Sequence, residues 1–204
     1  MLNYWIGMAA ICAFAMAGVL AAGRRGMDII ALLFMGVITA VGGGTLRDLL
    51  LGVPVFWMID FNYVWVASAA SLAAFALARH LRDETVWAAI LYLDAFGIAL
   101  FGVQSIDKAL AHGFAAPVAI VMATITGIGG GLIRDVLAQR ENLLSSREIY
   151  ATTIITGGML YTFLLAQGGA SHGASLCGVA FTFAFRGLAI HFGWQMPKWL
   201  TLRH

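Results

Sequence analysis

Charge is scarce in this sequence: Asp, Glu, Lys and Arg make up 11% of its 204 residues, where a soluble domain carries about 25%. So little charge cannot cover a surface that faces water on all sides, which excludes an ordinary soluble domain. The formal net charge of +2 offers no footprint for nucleic acid. Cysteine is limited to Cys12 and Cys177, each inside an apolar run. With neither metal spacing nor a pairing pattern, they read as small packing thiols rather than a disulfide framework. His80, His112, His172, His191 and His204 are scattered without ligand spacing, so no metal site is expected. A nucleophile–base pair, a phosphate loop and a haem signature are also missing. Gly127-Ile128-Gly129 has the look of a dinucleotide fingerprint but lacks the soluble strand that precedes one. Neither enzyme activity nor a cofactor is expected.

What remains is hydrophobic. Apolar residues reach 61% and the mean hydropathy is +0.89. At about 20 apolar residues per crossing, the sequence divides into seven spans, roughly 4–22, 29–51, 61–79, 86–106, 115–137, 149–167 and 174–192. The predicted fold is an all-α integral membrane protein, one transmembrane domain over residues 1–204 with short connections and no low-complexity stretch. No Lys or Arg precedes the first span, and its apolar run is too long for a signal-peptide core, so it is expected to stay in the mature protein. Function then has to lie inside the bundle.

The peptide Gly42-Gly43-Gly44-Thr45-Leu46-Arg47-Asp48 recurs as Gly129-Gly130-Gly131-Leu132-Ile133-Arg134-Asp135. From Gly42 to Gly129 the offset is 87 residues, and at that offset Phe14 meets Phe101, Gly26 meets Gly113, Thr39 meets Thr126 and Tyr63 meets Tyr150. Spans one to three, about 4–79, therefore correspond to spans four to six, about 86–167, with the seventh, about 174–192, outside the repeat. Three is an odd number, so the second copy enters from the opposite side. Such inverted repeats place a site near the midplane. Arg24, Arg25, Arg79, Arg82, Arg134, Arg140, Arg147, Lys198 and Arg203 fall on one side, and little beyond Arg47 and Lys108 on the other. This predicts an outside N-terminus and a cytoplasmic C-terminus. Trp5, Trp57 and Trp65 then lie at the outer interface and Trp87, Trp194 and Trp199 at the inner one, as aromatic belts do.

Three consecutive glycines strip a helix of side-chain cover and loosen its backbone. Gly36, Ala40 and Gly44, and again Ala123, Gly127 and Gly131, form small-residue stripes suited to close helix packing. Gly42, Gly43, Gly129 and Gly130 point elsewhere and read as bends that free carbonyls toward water. Arg47-Asp48 and Arg134-Asp135 follow about one turn later. Neighbours at i, i+1 do not face each other on a helix, so each of these charges is expected to find its partner elsewhere. At 1.5 Å per residue Arg47 falls about 27 Å along its span, near the outer surface, and inversion puts Arg134 near the inner one. They serve as headgroup anchors, as charged vestibules, or as both.

Asp94 lies deep in the fourth span, where a carboxylate costs about 2.5–3.5 kcal/mol. Arg186 poses the same problem with opposite sign, and an Asp94–Arg186 pair is one solution. At the 87-residue offset Asp94 matches Gly7, so it is an asymmetric feature. Gln104, Ser105 and Lys108 continue a polar face of the fourth span. Thr39, Thr124 and Thr126 supply hydroxyls before the triplets, each apt to bond back to its own helix. The pore-lining candidates are Thr39, Thr126, Asp94, Gln104, Ser105 and Lys108.

Taken with Met16-Ala17-Gly18-Val19-Leu20-Ala21-Ala22-Gly23-Arg24-Arg25, Leu93-Asp94-Ala95-Phe96-Gly97 and Phe185-Arg186-Gly187-Leu188-Ala189, the doubled glycine motif resembles the prokaryotic branch of the trimeric intracellular cation (TRIC) channel family over nearly the whole chain. One departure is Arg140-Glu141-Asn142-Leu143, where the family pattern has an Ile-Pro turn, although Val53-Pro54 keeps a proline. The resemblance implies a homotrimer surrounded by lipid in the inner membrane of a bacterium or archaeon. Each protomer would carry a hydrated pathway for a monovalent cation, potassium above all, bordered by spans two and five bent at Gly42 to Gly44 and Gly129 to Gly131. Inverted repeats with broken helices are equally the signature of secondary transporters, so carriage of a small zwitterion such as glycine is the second reading. A purely structural membrane role is the third.

Overall fold

The computed structural model describes residues 2–23, 26–78, 80–140, 149–168 and 170–197. Arg24, Arg25, Arg79, Arg147, Lys198, Trp199, Arg203 and His204, together with Glu141, Asn142 and Leu143, lie outside the described residues. The elements are α1 (Leu2–Ala22), α2 (Ile29–Leu50), α3 (Phe56–Ile59), α4 (Asn62–Ala78), α5 (Asp83–Ala111), α6 (Ala116–Leu137), α7 (Ala151–Ala166) and α8 (Ser171–His191). In hydrocarbon every backbone N–H and C=O must be satisfied within its own segment, which helices do. Helices α1, α2, α5, α6 and α8 are long and apolar enough to cross a membrane, and α4 and α7 are shorter apolar helices.

Two elements depart from the sequence reading. Helix α5 runs over 29 residues, beyond both ends of the expected span. Asp83 and Glu84 in its first turn and Lys108 in its last complement the helix dipole, so it continues through polar turns that a count of apolar residues leaves out. The short α3 answers to no span. It starts where the Asp48 carboxylate accepts the Phe56 N–H at 2.9 Å.

Helix α2 closes with a Schellman turn. Gly52, at φ 67°, donates to the Leu49 carbonyl at 3.2 Å and Val53 to that of Asp48 at 3.0 Å. Eighty-seven residues on from Gly52, Gln139 at φ 47° donates to Val136 at 3.1 Å and Arg140 to Asp135 at 2.8 Å. The same closure therefore follows both glycine triplets.

Helices α2 and α6 cross antiparallel at the triplets. A Cβ built on Gly43 would run into the Thr126 carbonyl oxygen and lie 3.1 Å from the Gly130 nitrogen; one on Gly130 would lie 2.6 Å from the Thr39 carbonyl oxygen. Both helices remain helical through their triplets. This corrects the expected division of labour among the glycines. Gly43 and Gly130, assigned to bends and not to packing, make the closest backbone approach. The stripe residues Gly44 and Gly131 face side chains instead, the Phe56 and Phe101 rings and the Tyr150 hydroxyl with Asp94. Two crossing helices need bare backbone only at the crossing point, where the backbone of one lies against that of the other, while a stripe at i, i+4 winds away from it. Beside the crossing, Phe14 and Phe101 pack edge to face with centroids 5.9 Å apart, in a core that includes Ile11 and Ile98.

Candidate functional site

Two clusters of buried charge flank the crossing. Arg47 and Arg134 each follow their crossing glycine by one helical turn, and antiparallel packing sends them to opposite sides. Neither is a headgroup anchor: Arg47 is 3% and Arg134 0% exposed. Helix α5 supplies each arginine with a partner, Ser105 for Arg47 and Asp94 for Arg134, about 16 Å apart at 1.5 Å per residue. With partners in place, burial within the bundle replaces snorkelling to the surface.

In the second cluster Arg134 Nε donates to Asp135 Oδ1 at 2.8 Å and Nη2 to Asp135 Oδ2 at 3.3 Å. Arg134 Nη1 donates to Asp94 Oδ1 at 2.6 Å. The Tyr150 hydroxyl donates to Asp94 Oδ2 at 2.7 Å. The guanidinium of Arg186 lies 5.0 Å from the Tyr150 ring centroid and donates to the Ile149 carbonyl at 3.1 Å. The expected Asp94–Arg186 pair is thus corrected to Asp94–Arg134, with Tyr150 linking the pair to Arg186. Both oxygens of Asp94 are taken by partners from α6 and from the residue capping α7. The expectation that adjacent Arg and Asp miss each other is corrected too, because the long arginine side chain folds back to reach its neighbour.

In the first cluster Arg47 Nε donates to Asp48 Oδ1 at 2.8 Å and Nη1 to Ser105 Oγ at 3.4 Å. Its guanidinium sits 5.7 Å from the Phe56 ring centroid and 5.9 Å from that of Phe101. Lys108 Nζ donates to Asp48 Oδ1 at 2.8 Å. Against this cluster opens a cavity of about 370 Å³ bordered by Asn3, Arg47, Tyr63, Gln104, Asp107 and Lys108, among others. Gln104 donates to the Asn3 carbonyl at 2.9 Å. Asp107 accepts from the Tyr161 hydroxyl, to which Ser175 Oγ donates at 3.3 Å. At the other end of α1, α2, α4 and α5 lies a second cavity of about 270 Å³, bordered by Val19, Leu32, Phe75 and Val86 with Asp83.

The pore-lining candidates divide accordingly. Gln104 and Lys108 border the larger cavity, whereas Ser105 is buried against Arg47 and Asp94 belongs to the other cluster. Thr39, Thr124 and Thr126 spend their hydroxyls on their own helices, on Met35 at 2.7 Å, Ile120 at 2.9 Å and Met122 at 2.6 Å. Asp107, Tyr63, Tyr150 and Tyr161 were not among the candidates. The Tyr63/Tyr150 match at the repeat offset was the available signal. Asp107 had none, since its partner Tyr161 comes from α7.

The family model described as "Glycine transporter" matches the chain twice, over residues 4–79 and 91–166. A UPF0126 membrane protein of Vibrio cholerae is 41% identical over 197 residues, which are 96% of this chain and 82% of that protein. The UPF0126 inner membrane protein YadS of Escherichia coli is 39% identical, over 97% of this chain and 96% of its own. Among solved structures, that of a TRIC trimeric intracellular cation channel orthologue from Rhodobacter sphaeroides superposes with a TM-score of 0.90 at 33% identity, covering 95% of this chain and 99% of that one.

Proposed function

Because the chain belongs to the prokaryotic branch of the TRIC channel family, shared with the UPF0126 membrane proteins, we propose that it is a monovalent cation channel, with potassium as its ion. In this reading it forms a homotrimer in the inner membrane, and each protomer has seven spans in two inverted repeats plus a seventh helix. The N-terminus is outside, so the Arg47 cluster faces out and the Arg134 cluster faces the cytoplasm. The observation that carries the reading is the larger cavity. It gathers polar groups of Asn3, Tyr63, Gln104 and Asp107 around one space beside the Arg47 cluster, and permeating ions need such replacements for their water.

The pathway runs from this outer cavity toward the second one at the inner end, past Phe14 and Phe101. In this reading the packed Phe14–Phe101 pair is what closes the pathway. Opening requires the α2–α6 crossing to shift, and the glycine triplets are where those helices bend most cheaply. The deciding experiment compares potassium and glycine flux through purified protein in liposomes. Unitary potassium currents in a planar bilayer support the channel; saturable glycine counterflow without them supports a carrier. That second reading is favoured by two end cavities separated by a packed centre, which also suits alternating access.

A further inference from the structure

The two charge clusters are not balanced alike. Arg134 spends Nε, Nη1 and Nη2 on the carboxylates of Asp135 and Asp94, and the Tyr150 hydroxyl takes the second oxygen of Asp94. With Arg186 beside Tyr150, two cations there meet two carboxylates. In the other cluster Arg47 and Lys108 share the single carboxylate of Asp48, which leaves one positive charge in excess. The repeat counterpart of Asp94 is Gly7, which carries no charge.

The donors left over border one space. Arg47, 3% exposed, commits Nε and Nη1, and its Nη2 makes no hydrogen bond among the described residues. Tyr63 matches Tyr150 in the repeat, yet its hydroxyl makes none either. Lys108 Nζ gives one of its three N–H groups to Asp48. These three residues come from α2, α4 and α5, and all of them border the 370 Å³ cavity. Asp107, the carboxylate that also borders it, stands about 100° round α5 from Lys108, accepts from Tyr161 and makes no ion pair among the described residues. Water can satisfy spare N–H and O–H groups, but it cannot offset a charge held among buried neighbours.

We propose that Arg47, Tyr63 and Lys108 hold a small inorganic anion, chloride by its single charge and its need for donors alone. The ion restores in this cluster the balance that Asp94 gives the other. It also cancels the positive field at the outer mouth, which otherwise repels arriving cations, so bound chloride raises potassium flux. That consequence rests on the pathway proposed above, whereas binding itself does not.

Bromide, which replaces chloride and scatters X-rays anomalously, locates the site. Crystals of the full-length protein grown in sodium bromide should show an anomalous peak against Arg47, Tyr63 and Lys108. In lipid nanodiscs, exchanging potassium gluconate for potassium chloride at constant potassium should raise the melting temperature and then saturate. Lys108→Gln removes a charged contact and should weaken chloride by about tenfold, Tyr63→Phe should weaken it less, and Lys108→Arg should keep it. If Lys108→Gln does not fold, Tyr63→Phe decides. No peak at these residues, melting indifferent to chloride, or undiminished chloride affinity in the folded variants overturns the site. Potassium flux into liposomes should fall when gluconate replaces chloride outside; a bound halide with unchanged flux overturns the link to the pathway and leaves the site. Binding in a protein that passes no potassium removes the channel reading alone.

Discussion

Gly43 and Gly130 meet back to back, with the Gly130 nitrogen 3.1 Å from where a Cβ of Gly43 would stand. A methyl group on Gly43 has the Thr126 carbonyl as its obstacle, and one on Gly130 the Thr39 carbonyl, both of them backbone. Backbone cannot step aside as a side chain can, so the crossing itself has to open.

Gly43→Ala is therefore expected to destabilise the protein by about 3 kcal/mol, at the upper end of overpacking costs, despite a helix-propensity gain of about 1 kcal/mol. Gly44→Ala, which meets the Phe56 ring edge 2.6 Å away, should cost less because a ring can turn. Thermal unfolding of the two variants in one detergent checks the order, and a Gly44→Ala that melts lower than Gly43→Ala contradicts it.

Asp94→Asn leaves Arg134 buried with one carboxylate instead of two, and breaking a buried pair costs about 3–5 kcal/mol. Because Tyr150 shares the same carboxylate, a double-mutant cycle with Tyr150→Phe should show coupling of at least about 0.5 kcal/mol. Neutralising Arg186 instead should give no rescue of Asp94→Asn. A rescue would restore the direct Asp94–Arg186 pair that the geometry replaces.

Phe101→Ala opens space beside Phe14 at the centre of the bundle. The cavity should cost about 3–5 kcal/mol of stability and raise potassium efflux from loaded liposomes. Efflux equal to wild type from protein that remains folded would place the closure elsewhere.

Gly52→Ala meets no atom within 4 Å, yet its φ of 67° is strained for a residue with a Cβ. A loss of about 1 kcal/mol is expected from backbone conformation alone. Unchanged stability would mean that the turn relaxes to another conformation.

The sequence by itself determined the membrane class, the helical content and the 87-residue correspondence, because each depends on local or periodic properties: the length of apolar runs, the shortage of charge, a recurring heptapeptide. Arg47, Asp48, Arg134 and Asp135 could be singled out from the same repeat. Which residue answers each charge was decided only by tertiary structure. Asp94 lies 40 positions before Arg134 and Lys108 lies 60 after Asp48, and no spacing rule reaches across such distances. The roles of the glycines were likewise settled by packing. A triplet announces bare backbone, but whether that backbone bends, faces a ring or touches a second backbone depends on where the neighbouring helix crosses, and Gly43 takes the last of these because α6 crosses there. Gly7 is the plainest case: in the sequence it is the blank partner of Asp94, and only the fold shows that the blank lies beside Tyr63 and Gln104.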